Sequence, residues 1–111
     1  MTLRNILLAI ALFFAVWETS DIPDTGVVAA TFAVLFFACS YFVWRRGSRV
    51  AAVVLGLQFT VEATQAHTWQ DASAGAKDAA MVLGTAGILA AAAFVVRSLQ
   101  SRDDRVGEAE A

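Results

Sequence analysis

The residues best suited to chemistry lie in one stretch of the chain. Gln58, Glu62, Gln65 and Trp69 recur at i, i+4, i+7 and i+11, which places them on a single face of a helix. Thr60, Thr64, His67 and Asp71 form an adjacent stripe. Glu62 is the only Asp, Glu, Lys or Arg in the run 50–70, which is bounded by Arg49 and Asp71. Near the middle of a lipid-embedded helix an acid costs about 2.5–3.5 kcal/mol to insert. No Lys or Arg stands at comparable depth in the other apolar runs, so the cost must be offset otherwise. Gln58, Gln65, a hydroxyl such as that of Ser40, water, or a group brought by another molecule are the available partners. An apolar setting favours the neutral acid. Glu62, with Gln58, Gln65 and His67 beside it, is therefore a candidate proton, cation or partner-binding site. The competing reading is a protonated carboxyl that does no more than hydrogen-bond between helices.

Other reactive side chains form no constellation. His67 precedes Asp71 by four residues, a spacing that can present two ligands, but two ligands are not a metal site and His67 is the only histidine. A lone Cys39 cannot make an internal disulfide, and neither Cys39 nor Ser40 has a base partner. No metal, no cofactor and no enzymatic activity are expected. Ala80, Gly84, Gly87 and Ala91 form an unbroken row of small residues at i, i+4, i+7 and i+11. Such rows let helices approach closely, so this row is expected to be a packing face, inside a bundle or in a homodimer. Phe32 and Phe36 follow one stripe of their segment and Phe37 and Tyr41 another, and both are expected to pack or to face lipid.

The elements that hold these residues follow from composition. Of 111 residues 59% are hydrophobic and 16% charged, and the mean hydropathy is +0.64. An ordinary soluble domain carries roughly a quarter charged residues. Eight Lys/Arg against ten Asp/Glu leave no basic excess for nucleic acid, which is excluded as a partner. Charged residues divide the chain into four apolar runs, 5–17, 25–44, 50–70 and 79–96, and about 20 such residues cross a bilayer core as a helix. Backbone groups in lipid must be satisfied internally, and four passes are too few to close a barrel.

The expected fold is all-α, a small polytopic membrane protein whose four transmembrane helices cover about 3–20, 25–45, 50–70 and 78–97. These make one domain, 1–97, followed by a polar, partly disordered cytoplasmic tail, 98–111. The first run is the shortest, and it spans only if Arg4 and Glu18 stretch toward opposite interfaces. A signal-peptide reading competes there, but no small-x-small cleavage site follows it. Residues 18–24 and 71–78 read as turns, with Asp24 or Thr25 capping the second helix and Asp78 the fourth. The link 45–49 makes the second and third helices antiparallel neighbours. With four spans, Arg4, Arg45, Arg46, Arg49, Arg97, Arg102 and Arg105 share one side and Lys77 alone stands on the other, so both termini are expected in the cytoplasm. Trp17 and Trp69 fall at the outer interface, and Trp44 with Tyr41 at the inner one.

In size and helix number the chain is similar to the small multidrug resistance transporters, which rely on one membrane-embedded glutamate. In that family the glutamate is central in the first helix. Here Glu18 ends the first run and the central acid is Glu62 in the third, so no residue and no activity is carried over. The expected role is an accessory, scaffold or assembly subunit of a larger membrane complex or homo-oligomer. The alternative is a small proton- or cation-coupled transporter or channel that uses Glu62. The expected partners are the lipid bilayer and either further copies or other membrane subunits. The expected location is a plasma membrane, multi-pass, of the bacterial inner-membrane type.

Overall fold

A computed structural model describes residues 2–65 and 73–110, and the described residues form four helices: α1 (Leu3–Thr25), α2 (Val27–Arg46), α3 (Arg49–Gln65) and α4 (Ala74–Glu110). Three of them have stretches long and apolar enough to cross a membrane: Leu3–Ser20 in α1, Val27–Arg46 in α2 and Ala74–Ser101 in α4. At 1.5 Å per residue the 20 residues of α2 reach about 30 Å, the thickness of a hydrocarbon core. The 17 residues of α3 reach about 26 Å, short for a crossing. The rest of the expected run 50–70 lies outside the described residues.

Local chemistry explains most of the boundaries. The Thr2 side chain accepts from Asn5 N–H at 3.2 Å to open α1, Ser48 Oγ accepts from Ala51 N–H at 3.1 Å to open α3, and Ser73 Oγ accepts from Ala76 N–H at 3.1 Å to open α4. The fourth helix is thus capped by Ser73 and starts before Asp78, the residue expected to cap it. The loop expected over 18–24 is helix instead. Pro23 lies inside the last turn of α1, where its fixed φ suits a helix and only one backbone hydrogen bond is forfeited. The chain reverses at Gly26, whose φ of 60° and ψ of −123° suit a residue without Cβ. Gly26 is the N-cap of α2, with no side-chain capping bond, in place of the expected Asp24 or Thr25. At the other end of α2, Gly47 takes φ 59°. Its N–H bonds to Val43 O at 3.0 Å while Ser48 N–H reaches Phe42 O at 3.4 Å, closing the helix with a left-handed residue. Finally, α4 runs on to Glu110. The polar segment after Arg97 lacks proline and has no glycine before Gly107, so nothing in it stops a helix.

The helices pack in a ring in which α1 and α3 each lie against both α2 and α4. Successive helices are antiparallel, which leaves α1 and α3 parallel across the diagonal. At the centre Phe14 of α1, Phe36 of α2 and Phe59 of α3 are fully buried. Their ring centroids stand 5.9 Å apart for Phe14–Phe36 and 5.8 Å for both contacts of Phe59. The fourth side of this layer is Gly87 of α4, where a Cβ would lie 2.6 Å from the Phe59 ring. Leu7, Ala11, Val43 and Leu55 fill the half nearer the N-terminus. Around this core the surface is apolar: Val27, Val34, Leu57, Val82 and Leu89 are all well exposed. A helix apolar on its outer face as well as its inner one is suited to lipid.

Candidate functional site

Among the described residues four polar side chains are buried: Glu18, Ser40, Gln58 and Glu62. Glu62 is 2% exposed and Glu18 7%. Glu62 follows Phe59 by three residues and Glu18 follows Phe14 by four, so each stands about one helical turn beyond the aromatic layer. Because α1 and α3 run parallel and the Phe14 and Phe59 rings are 5.8 Å apart, both acids belong to the same cross-section, in the half away from the N-terminus.

Glu18 was expected to reach for an interface, and the structure buries it instead. The reason is helical phase. Leu7, Ala11, Phe14 and Glu18 recur at i, i+4, i+7 and i+11, and the first three are fully buried, so Glu18 continues the inward stripe. That spacing is visible in the sequence and is the signal by which this second acid can be found.

Gln58 ties α3 to α2 by donating from Nε2 to Phe32 O at 3.3 Å. Its Oε1 is buried and accepts no hydrogen bond among the described residues, and the same holds for Ser40 Oγ. Gln65, the third member of the expected polar stripe, is exposed. His67, Trp69 and Asp71 lie outside the described residues. Thr60 and Thr64 are exposed, and their hydroxyls bond back along the helix to Gly56 O at 2.9 Å and Thr60 O at 2.8 Å. The face of α3 therefore divides: Gln58 and Glu62 turn inward, while Thr60, Thr64 and Gln65 turn outward.

The row of small residues has a definite place. Ala80, Gly84, Gly87 and Ala91 are all buried. A Cβ on Gly84 would lie 2.9 Å from Ala63 Cβ, one on Gly87 would enter the Phe59 ring, and Ala91 Cβ stands 3.5 Å from where Gly56 would carry one. These three steps make a close seam between α3 and α4 within one chain, which leaves the row occupied and not free for a homodimer. The seam presses Phe59 into the aromatic layer and thereby sets the height of Glu62. On α2, Phe36 is buried and Phe32 half-buried, whereas Phe37 and Tyr41 are exposed. Trp44 is exposed near the basic end, with the Arg45 guanidinium 5.4 Å from its ring centre. Cys39 is buried, and among the described residues no group of three or more His, Cys, Asp or Glu is placed to hold a metal ion.

Compared with protein-family models, with curated proteins and with solved structures, the chain matches none.

Proposed function

We propose that the protein is a small, non-enzymatic integral membrane bundle that serves as an accessory, scaffold or assembly subunit of a membrane complex or homo-oligomer. The observation that carries this reading is the filled interior. Phe14, Phe36 and Phe59 are fully buried at the centre, pack against one another and meet Gly87 of α4, which favours a packing unit over a pore through one chain. Four crossings with both termini in the cytoplasm of a plasma membrane are part of the same proposal. In support, α3 packs alongside both α2 and α4, and the seven arginines gather toward the end that holds the termini and the α2–α3 link.

A second reading is favoured by the two buried acids. Glu18 and Glu62 in one layer suit a proton- or cation-coupled carrier in which the charge is exchanged within the bundle. One experiment separates the two. After extraction in mild detergent, native mass measurement is expected to find the chain with unrelated membrane subunits. A pure homo-oligomer that sustains a proton or cation flux in vesicles, lost in Glu62→Gln, would refute the accessory role and establish transport. Labelling that puts the two termini in opposite compartments would refute the four-crossing topology.

A further inference from the structure

At the basic end the bundle opens into a cavity of about 570 Å³. Three sequence-distant elements meet there: the start of α1 with Arg4, the α2–α3 link with Arg49, and α4 with Arg97. Hydroxyls of Thr2, Ser98 and Ser101 also line it, and among the described residues no acidic side chain does. Leu3 and Phe94 supply an apolar wall toward the core. Parallel α1 and α3 both begin at this end and bring the positive ends of two helix dipoles to it, beside the α2 C-cap Gly47, which also lines the cavity. The neighbouring cations are engaged differently, with Arg45 over the Trp44 ring and Arg46 at 5.8 Å over the Phe42 ring. The cavity arginines have no such aromatic partner among the described residues.

From this arrangement we propose that the cavity binds the phosphate headgroup of an anionic glycerophospholipid from the leaflet at the basic end. Guanidinium forks match phosphate oxygens in pairs, and basic pockets between membrane helices on the cytoplasmic side suit such headgroups. Two features favour a lipid over a free anion. The volume exceeds what a bare phosphate fills, and the Leu3–Phe94 wall gives the glycerol and upper acyl carbons an apolar surface. The proposal goes beyond the accessory role and rests only on the membrane reading. It gives the bundle a fixed lipid at the end where its termini emerge.

The test uses the full chain reconstituted in vesicles and then examined by native mass spectrometry. Wild type is expected to keep phosphatidylglycerol and to release phosphatidylcholine. Arg49→Gln/Arg97→Gln should weaken phosphatidylglycerol retention about tenfold or more, whereas Arg45→Gln/Arg46→Gln, which removes the same charge outside the cavity, should leave it near wild type. Arg49→Lys/Arg97→Lys, with charge kept and the fork lost, should fall between and guards against a misfolded neutral variant. Equal loss in both glutamine pairs would overturn the site in favour of diffuse surface charge. Displacement of the lipid by millimolar inorganic phosphate would overturn the lipid assignment. Failure of wild type to co-float with phosphatidylcholine vesicles would instead refute the membrane reading, a result distinct from loss of lipid selectivity.

Discussion

Gly87→Ala is the sharpest test of how the bundle is held together. An added Cβ would lie 2.6 Å from Phe59 Cδ2, 2.8 Å from Cγ and 2.9 Å from Cε2. The ring has no room to retreat, because Phe14 and Phe36 hold it at 5.8 Å from the other side and it is fully buried. Overpacking of this kind costs about 1–3 kcal/mol, against which alanine gains about 1 kcal/mol of helix propensity over glycine. Gly56→Ala separates the two effects, since its Cβ would meet Ala91 Cβ at an ordinary 3.5 Å. Both variants gain propensity and only one clashes, so Gly87→Ala should be less stable than Gly56→Ala by about 1–3 kcal/mol. Unfolding from mild detergent into a denaturing one, followed by circular dichroism, measures the difference. Adding Phe59→Leu to Gly87→Ala should return part of the loss, because directly packed pairs couple by about 0.5–3 kcal/mol. Equal stability of the two alanine variants, or strict additivity with Phe59→Leu, would refute the seam as drawn.

Three further outcomes are expected. Gln58→Leu gives up a long 3.3 Å bond to Phe32 O but also removes a buried oxygen that accepts nothing among the described residues. Its stability should therefore stay within about 1 kcal/mol of wild type, and a loss beyond about 3 kcal/mol would reveal an acceptor role for Oε1. Ser40→Ala should be neutral to within about 0.5 kcal/mol in the same assay, for its hydroxyl is buried without a hydrogen bond among the described residues; marked destabilisation would show that the hydroxyl has a partner in the native assembly. Gly26→Ala meets no atom within 4 Å, so any cost comes from backbone conformation alone, about 1–3 kcal/mol at φ 60°. An unchanged unfolding midpoint would place the reversal between α1 and α2 at another residue.

Much of this architecture is written along the chain. Runs of apolar residues bounded by charge identify α2 and the apolar parts of α1 and α4, because a chain with too few passes to close a barrel can cross hydrocarbon only as helix. The spacing of Ala80, Gly84, Gly87 and Ala91 marks a close-packing face, since helical phase is a property of sequence. The spacing of Leu7, Ala11, Phe14 and Glu18 likewise puts an acid in phase with apolar residues of α1, a signal that the expectation of an interfacial Glu18 passed over. What the spacing lacks is the identity of the facing helix. That Gly87 meets Phe59 and not a second copy, that Glu18 and Glu62 share a layer, and that Arg4, Arg49 and Arg97 enclose one cavity depend on how four rods are ordered and staggered around a core. The turns were equally opaque: Pro23 reads as a break, yet its φ is helical, and only the need for a positive φ assigns the reversal to Gly26. One dimension carries phase and polarity, which are local. Neighbour choice and axial register come from packing the aromatic layer against the one helix with a glycine at its height, and that is decided in three dimensions.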